Sequence, residues 1–173
     1  FDWFGAYIIG LVIATGGGTL RDLLFNLTPF WMLDARYFVT TGIALLAAIL
    51  FRDKLFRLGQ TLFLFDTLGL GLFTVVGLTK SMEAGFTFWV CIAMGAVTGS
   101  VGGVLRDVLL NEVPLLFRRD IYALACVAGG SVYFISRYFH LQHGIPEMSG
   151  AITIIIVRIL AVKFKINLPH LGD

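Results

Sequence analysis

Long apolar stretches with almost no charge set the pattern of this chain, and short polar, glycine-bearing connections punctuate them. Six stretches approach the roughly 20 mostly apolar residues that a membrane-spanning helix needs. They run from Trp3 to about Leu27, Tyr37 to Phe51, Leu62 to Leu78, Phe86 to about Leu110, Ile121 to Tyr138 and Met148 to Val162. The first is interrupted by Gly16, Gly17 and Gly18, and the fourth near Gly99, Gly102 and Gly103. Each interruption predicts a broken helix. The third stretch contains a single acid, Asp66. The connections between stretches leave no room for a soluble domain, so the fold class is an all-α integral membrane protein.

Composition sharpens this reading. Of 173 residues, 58% are hydrophobic and 14% charged, and mean hydropathy is +0.89. Soluble domains carry about a quarter of their residues as Asp, Glu, Lys and Arg, so a soluble enzyme is excluded. Twenty glycines and sixteen phenylalanines suit closely packed membrane helices. A net charge of +2, scattered along the chain, indicates no nucleic-acid partner. Cys91 and Cys126 lie in apolar stretches and read as buried, inert thiols. His140-x-x-His143 reads as a solvated connection rather than half a metal site. No Ser-His-Asp set, metal cluster or phosphate loop is present, which argues against an enzyme and against a cofactor.

Basic residues set the expected orientation, because cytoplasmic loops retain Lys and Arg. One side receives Arg52, Lys54, Arg57, Arg118, Arg119, Lys163 and Lys165, the other only Arg36, Lys80 and Arg137. That bias places the C-terminus in the cytoplasm of a multi-pass protein. Arg158, five residues before Lys163, is expected to snorkel toward the cytoplasmic headgroups.

The most informative feature is an internal repeat. Gly17-Gly18-Thr19-Leu20-Arg21-Asp22-Leu23-Leu24-Phe25-Asn26-Leu27-Thr28-Pro29 aligns without gaps on Gly102-Gly103-Val104-Leu105-Arg106-Asp107-Val108-Leu109-Leu110-Asn111-Glu112-Val113-Pro114. The offset is 102 − 17 = 85, and eight of the thirteen pairs are identical. Between copies the chain advances three spans, an odd number, so the second copy crosses the membrane in the opposite sense. Residues 1–57 then form a first repeat, 58–140 a second, inverted one, and 141–173 an extra C-terminal helix with its tail. The second repeat opens with a helix, Leu62 to Leu78, that has no partner in the first. Symmetry therefore predicts a further helix before Phe1, seven in all.

Non-helical backbone at membrane depth persists only where it faces protein or a wet cavity. Two matched glycine interruptions therefore point to a central polar pathway, with close helix packing as the alternative role of these glycines. Arg21 and Asp22 are neighbours and point about 100° apart on a helix. The expected solution is cross-pairing, Arg21 with Asp107 and Arg106 with Asp22, as a latch or as a pore lining. Pro29 and Pro114 are expected to end the second half-helices. Asp66 would attract a cation or accept a helix-to-helix hydrogen bond.

The doubled Gly-Gly-x-Leu-Arg-Asp motif, the segment Phe65-Asp66-Thr67-Leu68-Gly69-Leu70 and the expected helix count resemble the prokaryotic trimeric intracellular cation channel family. Bacterial members of that family are also described as glycine transporters. The resemblance implies a homotrimer in the prokaryotic inner membrane, in contact with membrane lipids, with one pore per protomer conducting potassium and sodium. By position it makes Gly16, Gly17, Gly18, Arg21 and Asp22, together with Gly102, Gly103, Arg106 and Asp107, the pore elements. Asp66 joins them as the one acid inside its span. The Lys-Glu-Val signature of animal members is absent, and Arg-Asp stands in the corresponding zone. A secondary transporter of a small amino acid such as glycine is the alternative, because inverted repeats also build transporters.

Overall fold

A segment inside lipid has no water to satisfy its N–H and C=O groups, so each apolar stretch closes its hydrogen bonds within itself as a helix. The computed structural model describes residues 2–57, 61–118, 121–142 and 144–166. In chain order these form α1 (Trp3–Leu24), a 3-10 turn (Phe30–Met32), α2 (Arg36–Leu50), α3 (Arg52–Arg57) and α4 (Thr61–Glu83). Then follow α5 (Phe88–Leu109), α6 (Leu115–Arg118), α7 (Ile121–Tyr138) and α8 (Ile145–Lys163). Four of them, α1, α4, α5 and α8, are long and apolar enough over 18 residues to cross a membrane. At 15 residues and about 1.5 Å per residue, α2 is shorter than the hydrocarbon core.

The 85-residue offset carries into the structure. Phe88 and Leu109 bound α5 where Trp3 and Leu24 bound α1, α6 begins at Leu115 where the 3-10 turn begins at Phe30, and α7 begins at Ile121 where α2 begins at Arg36. Both helix ends use the same device. Asn26 and Asn111 adopt left-handed backbone, each with φ 56°. The N–H of Leu27 then reaches the carbonyl of Asp22 at 2.8 Å, and the N–H of Glu112 that of Asp107 at 2.8 Å. Asn26 and Asn111 likewise donate to Leu23 and Val108, both at 3.0 Å. This closes the orphan carbonyls of the last turn. The prolines do not end these helices: asparagine stops each one first, and Pro29 and Pro114 stand in the following loop, where they introduce the next short turn.

Nor do the glycine clusters break their helices. Both α1 and α5 run through them as continuous α-helix. What glycine supplies is proximity. A β-carbon at Gly102 would lie 2.6 Å from the carbonyl oxygen of Ile13, and one at Gly17 would collide with the carbonyl oxygen of Thr98. Those contacts are themselves related by the offset, 102 − 17 = 85 and 98 − 13 = 85, so α1 and α5 cross symmetrically and antiparallel.

Around this crossing, α4 packs antiparallel on α5, and α8 packs on α7 and α4. Close approach recurs between α7 and α8, where a β-carbon at Gly129 would lie 2.6 Å from the carbonyl oxygen of Gly150. Two apolar clusters form the interior, one around Leu70, Tyr122, Ala125, Cys126 and Ile154, the other around Leu78, Cys91 and Tyr133. The cysteines are free and buried, as expected. On the far side, α2 packs on α1 and buries none of its residues. In the connection before it, Asp34 accepts the side-chain and backbone N–H groups of Arg36, which holds its carboxyl below the usual carboxylate range.

Candidate functional site

Because α5 runs antiparallel to both α1 and α4, the last two are parallel to each other. The three enclose a cavity of about 570 Å³. Leu62, Phe65 and Asp66, near the start of α4, mark one end with Arg106; Val76 and Lys80, near its finish, mark the other with Arg21. Gly17, Gly102 and Thr98 line the waist between them, with Gly18 toward Phe30 and Gly103 toward Asp66. Of the residues singled out in the sequence, Gly17, Gly18, Arg21, Asp66, Gly102, Gly103 and Arg106 border the cavity. Gly16 instead faces the side chain of Leu105, while Asp22 and Asp107 turn toward the loops.

The Arg-Asp pairs differ from expectation. Arg21 folds back on its own neighbour, donating from Nε at 2.9 Å and Nη2 at 2.7 Å to Oδ1 of Asp22. Asp22 Oδ2 accepts the backbone N–H of Phe30 at 2.9 Å. In the second copy Arg106 Nε donates to Asp107 Oδ1 at 2.8 Å, and Asp107 Oδ2 accepts the N–H of Leu115 at 2.9 Å. Cross-pairing of Arg21 with Asp107 and of Arg106 with Asp22 is therefore overturned. The physical reason is the antiparallel crossing. Each pair lies past its glycine toward the C-terminal end of its own helix, so the two sites end roughly 13 residues apart along the axes, about 20 Å at 1.5 Å per residue. The flexible arginine instead bends across the 100° between neighbours, and the aspartate's second oxygen satisfies the first N–H after the proline.

Asp66 is the hub of a buried cluster. Its side chain is 3% exposed; Oδ1 accepts from Arg106 Nη1 and Oδ2 from Arg158 Nη2, both at 3.0 Å. The Tyr122 hydroxyl donates to Oδ1 at 3.3 Å. Arg158 does not snorkel. It is 2% exposed, with its guanidinium 4.5 Å from the centroid of the Tyr122 ring and 5.3 Å from that of Phe63. A buried carboxylate offers more than the headgroups do, because charge-assisted hydrogen bonds in a dry site are strong. Arg158 and Tyr122 are thus members of the site that sequence reasoning missed. The available signal was a lone arginine in an otherwise apolar helix.

Within the cluster, Nη2 of Arg106 is buried without a hydrogen-bond partner. It lies 3.8 Å from where a β-carbon of Gly103 would stand, and that β-carbon would also crowd Tyr122 Oη at 2.9 Å and Asp66 Oδ1 at 3.1 Å. Among the described residues, Asp22, Asp66 and Asp107 are each engaged by a guanidinium, so none of these three carboxylates is open to a cation in this arrangement. Among the described residues no group of His, Cys, Asp and Glu is placed to hold a metal. His140 sits past the end of α7 with φ 52°, and His143 lies outside the described residues.

Known proteins share both sequence and fold with this chain. The family described as "Glycine transporter" matches residues 1–53 and 63–138. The inner membrane protein YadS of Escherichia coli is 33% identical over 171 residues, covering 97% of this chain and 83% of that protein. A membrane protein of Deinococcus radiodurans is 35% identical over 173 residues, covering 98% of this chain and 80% of its own. Among solved structures, one of a TRIC cation channel superposes with a TM-score of 0.86 at 33% identity, covering 100% of this chain and 86% of the other. The TRIC orthologue from Rhodobacter sphaeroides superposes at 0.83 with 27% identity, covering 95% and 96%. On its matched length, its identity to these relatives and its shared fold, the chain belongs to the prokaryotic TRIC family, the membrane proteins described as glycine transporters.

Proposed function

We propose that this chain is a passive channel for monovalent cations, potassium and sodium, with one passage in each protomer of a homotrimer and its C-terminus in the cytoplasm. The observation that carries the reading is the cavity between α1, α4 and α5, set between two Arg-Asp sites on a fold shared with TRIC cation channels. In the arrangement described, the carboxylates of Asp22, Asp66 and Asp107 are each paired with arginine, so a conducting state would need that pairing to loosen. A cation would pass when water fills the waist and Asp66 is released from one of its two arginines. Arg21 and Arg106 would then limit how long a cation resides, as weak binding favours exit.

Reconstituted protein should show unitary potassium currents that reverse near the potassium equilibrium potential and are independent of added glycine. Saturable uptake of labelled glycine without unitary current would replace the channel with a transporter. That second reading is favoured by the unengaged Nη2 of Arg106, a donor suited to a carboxylate. For the orientation, cysteines at Lys54 and Arg118 should resist an impermeant thiol reagent in intact cells, and one at Lys80 should react.

A further inference from the structure

The two ends of the cavity are lined by different chemistry, although the repeat makes them equivalent in backbone. Gly18 and Gly103 correspond, as do Phe30 and Leu115, and both Phe30 and Leu115 donate their N–H to the aspartate of their own repeat. Their side chains part company. Leu115 packs on the interior cluster of Leu70, Tyr122 and Cys126, and Gly103 faces the hydroxyl of Tyr122 and the carboxylate of Asp66. Phe30 borders the cavity. Its ring lies against the bare α-carbon of Gly18, where a β-carbon would collide with one ring carbon and meet two more at 3.1 and 3.2 Å.

Two further contacts hold that ring. Tyr37 meets it edge-on, centroids 4.6 Å apart, and the Arg21 guanidinium stands 5.9 Å from its centroid. The next residue, Trp31, donates Nε1 to Thr19 Oγ1 at 2.9 Å and ties the turn to α1. A ring held by Gly18, Tyr37 and Arg21 at the border of the cavity is placed to act as a steric and dewetting barrier, of the kind that sieves ions by size.

We propose that Phe30 is the size-selecting residue of the passage, seated by Gly18 and positioned by Asp22 through its backbone N–H. This rests on the channel reading. Phe30→Ala should raise the permeability of methylammonium and tetramethylammonium relative to potassium several-fold in liposomes. Leu115→Ala, at the equivalent position, should leave that ratio at the wild-type value. Gly18→Ala should mimic Phe30→Ala by displacing the ring, and in the Phe30→Ala background it should add nothing, because the ring it displaces is gone.

A second arm needs no current. A cysteine replacing Gly69, which borders the cavity with only Phe73 near its β-carbon position, should react with a thiol reagent several-fold faster when Phe30 is Ala. An unchanged labelling rate overturns the proposal whatever the protein conducts, as does an unchanged permeability ratio or additivity of the two substitutions. Absence of cation flux in the wild-type protein, with labelling still accelerated, would sink the channel reading and leave Phe30 as the barrier to the cavity.

Discussion

Removing the charge of Asp66 while keeping its shape should be the most damaging isosteric change in this protein. The carboxylate is 3% exposed and takes one hydrogen bond from each of two buried arginines at 3.0 Å. Bonds to charged groups contribute about 1.5–3 kcal/mol each, and neutral ones about 0.5–1.5 kcal/mol. Asp66→Asn keeps one acceptor oxygen, so one arginine bond weakens by about 1 kcal/mol, while the amide NH2 faces the other guanidinium and that bond is lost; buried positive charge is left in excess, which brings the loss toward the ~3–5 kcal/mol of a broken buried pair. We expect about 3 kcal/mol, a shift of roughly a hundredfold in the folded-to-unfolded ratio. Removing a cation as well should offset part of this, so Asp66→Asn with Arg158→Met should cost about 2 kcal/mol less than the two changes summed. Equilibrium unfolding in mixed micelles, followed by tryptophan fluorescence, measures all four corners of the cycle. A loss below about 1 kcal/mol for Asp66→Asn, or additivity within about 0.5 kcal/mol, would refute the assignment of Asp66 as the hub.

Other consequences are smaller and equally direct. In the same unfolding assay Arg21 and Asp22 should couple by about 1 kcal/mol or more, while Arg21 and Asp107, some 20 Å apart along the axes, should be additive within about 0.5 kcal/mol. Asn26→Gly and Asn111→Gly should change stability by a few tenths of a kcal/mol, whereas valine at either place should cost about 1–2 kcal/mol because both residues are left-handed; a harmless valine would show that these helix ends can rearrange. Gly102→Ala drives a methyl against the Ile13 carbonyl oxygen at 2.6 Å and should cost about 1–3 kcal/mol. Gly69→Ala, whose nearest neighbour is the Phe73 ring at 3.8 Å, should cost less, and equal losses at the two glycines would contradict the crossing.

Membrane residence and repeat symmetry were legible along the chain because both depend on local facts. An uncharged apolar run must close its own hydrogen bonds in lipid, and an ungapped match of Gly-Gly-x-Leu-Arg-Asp at one offset leaves the two copies little choice but the same helix, the same asparagine stop and the same loop. Which arginine meets which aspartate depends on how far apart two helices carry them. That distance follows from the antiparallel crossing of α1 and α5, which the repeat implied but whose level at Gly17 and Gly102 only packing determined. The glycines show the same division. A pattern of small residues serves a break and a close approach alike, and the carbonyl oxygens of Thr98 and Ile13, 81 and 89 residues away in sequence (98 − 17 and 102 − 13), decided for approach. Its place five residues before Lys163 points Arg158 to the headgroups; the carboxylate that draws it inward is 92 residues distant in sequence. Symmetry of sequence likewise could not foretell that Phe30 borders the cavity while Leu115 sinks into the core, since that follows from α8, α5 and α4 packing on α7 while α2 packs chiefly on α1.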